Sequence, residues 1–326
     1  MEHYCTFFDR NYAGRGLALY GSLLRHGAPF SLWVLCMDDP THQLFEQLRL
    51  AHVRPIRLPD FEAANPEVAA TRGTRSLVEY YFTCTPALPF YVLRQCQDVD
   101  RVTYVDSDLY FYGSPRPIFD EMGGTSTLIV GHRFPERLRH LEITGVYNVG
   151  LLSFRRTEAG LTTLRWWRDR CVEWCYSRVD EGRYADQKYL DDWPERFEGV
   201  RVLEHEGAGL APWNVSRYEL SWHDGRVWVD GKPLIFFHFH RLKKLAPRMY
   251  DTGLRDFGNT MTSVLRDHIY APYVRELERT EAGMPPVAQP SSARHARYGA
   301  NRLSEALRLL LRGRLLVVAP RGALGG

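Results

Sequence analysis

Residues 101–108 read RVTYVDSD, and this stretch decides the fold. Arg101 to Val105 is a short run of β-branched and aromatic residues, the composition of a strand buried on both faces. Asp106, Ser107 and Asp108 follow at once, and LYFY then resumes the apolar pattern. Open α/β sheets collect ligands at the carboxyl ends of their strands, which is where this acidic turn falls. A triplet of the form Asp-x-Asp proves little alone, since 19 aspartates in 326 residues give about one match by chance. The chain holds a second, Asp98 to Asp100, but that one precedes the strand and reads as a turn at the wrong edge. Two carboxylates kept together at the end of a buried strand repel each other and are costly to desolvate unless a cation compensates them. Hard oxygen donors suit Mn²⁺ or Mg²⁺, ions that complete their shells with phosphate oxygens.

Around this strand, apolar runs alternate with helical patterns, the signature of a parallel sheet covered by helices. Strands are expected at His3–Phe8, Phe30–Met37, Val53–Leu58, Ser126–Gly131, Gly150–Phe154 and Leu234–Phe239. Helices are expected at Gly16–Arg25, Thr41–Leu50, Arg75–Cys84, Pro86–Gln95, Glu158–Ser177, Ala185–Asp192 and Leu254–Leu277. Trp166, Trp167 and Trp174 read as core, and Trp222–Trp228, with Asp224 and Gly225 at its centre, has hairpin chemistry.

With 326 residues, 44% of them hydrophobic and 13% aromatic, the chain can bury a sizeable core. No apolar run approaches the ~20 residues of a membrane span and no basic-apolar leader is visible, so a cytoplasmic protein is expected. The six cysteines show no CxxC pairing and read as reduced thiols. Seven of the 42 Lys and Arg residues, but one of the 39 acidic residues, fall from Arg294 onward. The body before that point is slightly acidic, which argues against nucleic acid as a partner. Residues 1–280 read as the catalytic domain, 281–293 as a Pro-rich linker and 294–326 as a basic tail. Leucines at helical spacing from Ala296 to Val318, with arginines between them, fit a helix lying on an anionic membrane surface or docking a partner.

The stretch FFHFHRLKK supplies a second half to the acidic turn. Alternation along a strand sends His238 and His240 to one face, with Lys243 and Lys244 just beyond as phosphate-seeking cations. The segment Gly207–Asn214, GAGLAPWN, is rich in turn residues; Trp213 is either an exposed stacking surface for an acceptor sugar or part of a packed loop.

In this order, the pieces resemble the retaining glycosyltransferases of family 8 and their relatives, over about Tyr4 to Lys244. The resemblance implies one Rossmann-like nucleotide-diphospho-sugar transferase domain with a mixed, mostly parallel central sheet, followed by a helical C-terminal extension. Asp9, Arg10, Asn11 and Tyr12 match the family's loop after the first strand, which implies that Asp9 and Tyr12 contact the nucleoside. A basic residue before the metal-binding strand implies Arg75 as a donor contact. RVTYVDSD is similar to the family's strand-DxD signature, implying Asp106 and Asp108 as metal ligands with Ser107 beside the donor. VYNVGLLSF resembles the asparagine-bearing YFNAGVLLI segment, implying Asn148 near the sugar, and YADQKYL supplies the Asp-Gln pair, Asp186 and Gln187. The closing motif HFxGxxK implies His238 as the third metal ligand and Lys244 on the diphosphate. Arg241 stands in place of the motif's glycine, leaving His240 or Lys243 to substitute for its contacts.

The implied activity is metal-dependent transfer of a hexose, with retention, from a nucleotide diphosphate sugar to a glycan or lipid-linked acceptor, as in polysaccharide biosynthesis. Gln187 or Asp186 would face the reacting carbon. The alternative is a non-catalytic nucleotide-sugar or carbohydrate binder on the same fold. A nucleotidyltransferase is disfavoured, because no glycine-rich basic phosphate loop follows the first strand.

Overall fold

The computed structural model describes residues 1–27, 29–289 and 314–318. Its centre is a seven-stranded sheet built from β1 (Glu2–Phe8), β2 (Phe30–Cys36), β3 (Val53–Arg57), β4 (Arg101–Val105), β6 (Thr127–Gly131), β7 (Tyr147–Arg155) and β8 (Val200–Leu203). The order is β3-β2-β1-β4-β7-β6-β8. β1, β2, β3 and β4 run parallel, whereas β7 is antiparallel to both β4 and β6. The expected mixed, mostly parallel sheet is therefore present. Because β1 lies between β2 and β4, the winding direction reverses there, and the crevice between the carboxyl ends of β1 and β4 is the place where such sheets bind ligands.

β2 is buried at every position, which is why it reads as an unbroken apolar run. One face of the sheet carries Tyr4, Phe8 and Leu32 against the Ala13–His26 and Asp39–Leu48 helices. The other carries Cys5, Tyr104 and Phe154 against the Leu77–Gln95 and Glu158–Glu173 helices. Trp167 is fully buried there, with its ring edge-on to Trp193 at 5.5 Å, and Trp174 is also buried while Trp166 is half-buried.

A second, smaller sheet brings distant chain together. β5 (Leu109–Phe111) follows the acidic turn directly, and β13 (Phe236–His238) pairs antiparallel with it, placing His238 opposite Leu109. β9 (Ala208–Leu210) flanks β13 on its other side in parallel. β10 (Leu220–His223) and β11 (Arg226–Val229) form the expected hairpin, with Asp224 and Gly225 at φ +53° and +71° as a type I′ turn requires, and β12 (Lys232–Pro233) extends it. β14 (Lys243–Ala246), β15 (Met249–Asp251) and β16 (Leu315–Val317) make a fourth sheet, antiparallel throughout.

Several expected boundaries move. Leu77–Gln95 is one helix through Pro86 and Pro89, where a break was expected. A capping box between Ser76 and Glu79 starts it, and hydroxyls of Thr83 and Thr85 donate to Glu79 O and Tyr81 O in the turns that precede Pro86. Burial of the whole Thr83–Leu93 stretch apart from Tyr91 overrides the local preference. The Glu158–Glu173 helix ends four residues short of Ser177, and Ala185–Asp192 contains only a 3₁₀ turn at Lys188–Leu190. Leu254–Leu277 divides at Gly258 into a 3₁₀ turn, Leu254–Phe257, and a later helix entered through a π turn, Leu265–Tyr270, and continued by Ala271–Ala282.

Within the stretch read as a linker, Met284 and Ala288 are buried against the main core, beside the Asp39–Leu48 helix. Leu315–Val317 is a strand on β15, not the end of a helix; most of the expected tail helix lies outside the described residues. All six cysteines are free. Truncating Trp167 to Ala should lower the unfolding free energy by about 3–5 kcal/mol, read as a shifted urea midpoint at constant slope.

Candidate active site

Strand pairing builds the site. Asp106 directly follows β4, its N–H donates to Gly150 O of β7 at 2.9 Å, and the turn delivers the chain into β5. β13 then docks on β5 so that Phe239 N–H donates to Asp108 O at 3.0 Å, which sets His238 beside the turn. His238 Nε2 lies 3.1 Å from Asp108 Oδ1 and 3.6 Å from Asp106 Oδ2. One ligand atom from each of the three residues lies within 4.8 Å of the others, a grouping found nowhere else among the described residues. Two carboxylate oxygens and one imidazole nitrogen form a donor set that a hard or borderline divalent cation fits.

Neighbours tune the charges. Burial pushes the Asp106 carboxyl up against the pull of His238, while Tyr104 donates to its Oδ1 at 2.7 Å. Burial opposes ionisation of Asp108 too, yet His238 and Arg15 outweigh it and hold that carboxyl well below its ordinary range. Arg15 Nη1 lies 3.4 Å from Asp108 Oδ2. Burial lowers the His238 imidazole, but the two carboxylates raise it above the ordinary value. Gly150 makes room for this cluster: a Cβ there would stand 2.5 Å from Asn148 Oδ1 and 2.8 Å from His238 Nδ1.

The triad opens into a cavity of about 480 Å³, within the 300–1,000 Å³ range of small-molecule sites. Asp9, Tyr12, Ser107, Asn148, Asp186, Gln187, Trp213 and His240 all line it with the triad, so most of the expected site residues converge. Tyr81 donates to Asp9 Oδ2 at 3.3 Å, and Gly150 N–H donates to Asn148 Oδ1 at 2.6 Å. Trp213 is buried, not exposed: its Nε1 donates to His132 O at 2.9 Å, and its ring meets those of His238 and His240 edge-on at 5.3 and 5.4 Å.

Three expected donor contacts do not line the cavity. Arg75 donates to the carbonyls of Cys171 and Val172 at 2.6 Å each, closing the end of the Glu158–Glu173 helix. Lys244 is held by Glu278 at 2.9 Å and Glu281 at 2.5 Å. Lys243, on β14, is exposed. Sequence reading passed over Tyr81, Tyr104, His132, Phe257 and Arg15; for Arg15 the available signal was a cation three residues beyond the Asp9–Tyr12 loop.

Asp186 is buried, and burial together with the nearby Asp106 charge raises its carboxyl to about 7 despite a hydrogen bond from Thr85. Gln187 donates its Nε2 to Thr144 O at 2.9 Å, which fixes the amide. Burial lowers His240 to about 4 and His132 to about 3, so both are neutral near pH 7. Arg241, in place of a glycine, nonetheless takes the left-handed backbone, φ +62°, with its side chain turned to Asp256 at 3.4 Å and over the ring of Phe257.

No protein-family model matches the chain. It is similar to YfnD of Bacillus subtilis (strain 168), 31% identical over 280 residues covering 85% of this chain and 89% of that protein. To YfnF of the same organism it is 34% identical over 244 residues, covering 72% and 80%. Both relatives are described as uncharacterized. Among solved structures, it is similar to the galactosyltransferase LgtC in complex with donor and acceptor sugar analogs: 16% identity, a TM-score of 0.50, 87% of this chain and 98% of that one. An active-site mutant of LgtC gives a TM-score of 0.50 at 17% identity, covering 90% and 99%. The fold is thus that of a nucleotide-diphospho-sugar transferase.

Replacing Gly150 by Ala should drive His238 away from the aspartates, abolishing Mn²⁺ binding in a calorimetric titration while the circular dichroism stays native. Asp186 gives a pH signature. A carboxyl raised to about 7 keeps its proton in the folded chain where the unfolded chain has lost it, so stability falls as pH rises from about 4 through about 7. Asp186→Asn escapes that loss and should be near neutral at pH 4 but stabilising by on the order of 2 kcal/mol at pH 8, measured as the difference in unfolding free energy.

Proposed function

We propose that this chain, which belongs to the family of YfnD and YfnF, is a metal-dependent glycosyltransferase that moves a hexose, with retention, from a nucleotide diphosphate sugar to a glycan or lipid-linked acceptor. One observation carries the reading: Asp106, Asp108 and His238 converge at the carboxyl edge of the sheet, at the point where the strand order reverses.

Mn²⁺ or Mg²⁺ held by those three residues would supply electrostatic stabilisation of the departing diphosphate. The remaining roles fall to the chain's own side chains. Asp9, steadied by Tyr81, and Tyr12 receive the nucleoside at the end of β1. Ser107 borders the donor, and Asn148, held by the Gly150 N–H, faces the sugar. Asp186, protonated over most of the range below pH 7, is suited to donate a hydrogen bond to a sugar hydroxyl and poorly suited to attack carbon. Gln187 has its amide nitrogen committed to Thr144 O, leaving its oxygen for the face of the sugar opposite the leaving group. Trp213 and Phe257 give the acceptor end an apolar wall.

The basic tail would suit an acceptor at an anionic membrane surface, as in polysaccharide biosynthesis on the cytoplasmic side. No helix among the described residues is long and apolar enough to cross a membrane.

With purified protein and Mn²⁺, release of nucleoside diphosphate across a panel of sugar donors should identify a turned-over donor. The Asp106→Ala, Asp108→Ala double variant should lose at least about a hundredfold in that rate with its melting curve intact. Donor binding without turnover across the whole panel would instead select a carbohydrate-binding role, and unchanged turnover in the double variant would refute the metal site.

A further inference from the structure

Arg15 occupies a position that the donor-site reading leaves without a task. It sits in the first turn of the Ala13–His26 helix, and three partners fix its guanidinium. Nη1 lies 3.4 Å from Asp108 Oδ2, Nη2 donates to Leu242 O at 2.5 Å, and the group stacks 4.6 Å above the ring of Tyr12. It thereby joins the acidic turn to the segment that follows β13, and both to the loop at the end of β1.

Two other cations at this edge already have carboxylate partners, and a third, Lys243, is exposed on β14. Lys244 lies between Glu278 and Glu281, and Arg241 is paired with Asp256. Arg15 differs in that its carboxylate partner, Asp108, is also one of the three residues that would hold the cation. Asp108 has two oxygens, one toward His238 and one toward Arg15. Any divalent ion taking this carboxylate must share it with a fixed positive charge a few ångströms away. With His238 neutral, the two aspartates and Arg15 together carry one net negative charge, so a bare divalent cation leaves the site positive. A diphosphate restores the balance; Arg15 does not line the cavity, so its charge acts on the phosphates across Asp108 and not by direct contact.

We infer that Arg15 couples the two ligands: it weakens capture of a bare divalent cation and strengthens capture of the cation together with a nucleoside diphosphate. The inference rests on the donor-site reading above. Arg15 is a positioning residue in this scheme, because it acts through Asp108 and through the charge it holds beside the phosphates.

The test follows free Mn²⁺ by its electron paramagnetic resonance signal, using the full chain, alone and then with ADP, CDP, GDP or UDP. Wild type should bind bare Mn²⁺ weakly and bind it more tightly with at least one of the four. Arg15→Gln should bind bare Mn²⁺ about tenfold more tightly and lose about tenfold in affinity for the nucleotide that tightens wild type. Arg15→Lys keeps the charge and should restore wild-type ordering. A purely structural role predicts the reverse for the bare ion, since misplacing Asp108 would weaken it. Weaker or unchanged Mn²⁺ binding in Arg15→Gln, or a wild type whose Mn²⁺ affinity none of the nucleotides raises, overturns the coupling. Wild type that binds no Mn²⁺ under any of these conditions overturns the donor-site reading itself. Melting curves of both variants separate all of these outcomes from a failure to fold.

Discussion

The site depends on one register. β13 pairs with β5 so that His238 stands opposite Leu109, the residue immediately after the acidic turn. Alternation along a strand has a period of two, so a slip of one residue would send His238 to the opposite face and bring Phe237 or Phe239 toward the carboxylates. Packing guards against that slip. Phe237 and Phe239 are fully buried among Tyr270 and Tyr273 on the far face, where a histidine would lose its hydration without gaining a carboxylate. The aromatic core under β13 and the Asp106, Asp108 and His238 cluster above it are two consequences of the same strand pairing.

That pairing gathers charge into a place that resists charge. Asp106, Asp108 and Asp186 all lie at the buried end of β4 or within reach of it, and the protein treats the three differently. Asp108 receives both His238 and Arg15 and stays ionised. Asp106 receives a share of His238 and a phenol from Tyr104. Asp186 receives neither cation and keeps its proton to near neutral pH. Environments that push like groups apart in this way divide acid, anion and hydrogen-bond donor roles among residues of one type.

How much of this the sequence disclosed follows from range of interaction. RVTYVDSD could be placed because strand composition and the direction of a parallel sheet are local or nearly so, and the Asp224-Gly225 hairpin was legible from turn chemistry alone. Strand alternation singled out His238 and motif resemblance gave it the role of third ligand, whereas the Asp-Gln pair was recovered through resemblance alone. Arg75 and Lys244 show where that route fails. A cation in the right place along the chain was expected at phosphate, whereas the folded chain offers each one nearer anionic or carbonyl partners: helix-terminal carbonyls for Arg75 and two glutamates of a later helix for Lys244. Neither competitor is visible until the Ala271–Ala282 helix and the end of the Glu158–Glu173 helix are in position. The continuous helix through Pro86 and Pro89 has a similar origin, since burial of its Thr83–Leu93 stretch outweighs what the prolines remove.

Arg241 carries the last step. A non-glycine residue where related motifs have glycine would ordinarily mean a different backbone, because the left-handed region costs an L-residue roughly 1–2 kcal/mol. Here the backbone keeps that conformation, at φ +62°, and the surroundings bear the cost. Asp256 and the face of Phe257 draw the guanidinium aside, and Asp256 is itself anchored by Arg314 at 2.7 Å, at the start of the β16 segment. Gly253 completes the arrangement, since a Cβ there would come within 2.9 Å of the Arg241 Cβ. The glycine requirement has in effect moved twelve residues along the chain, from the pocket wall to the turn packed behind it. A substitution that breaks the motif's letter can therefore leave the shape of the pocket-lining backbone intact, and it adds a contact between the pocket wall and the last described segment of the chain.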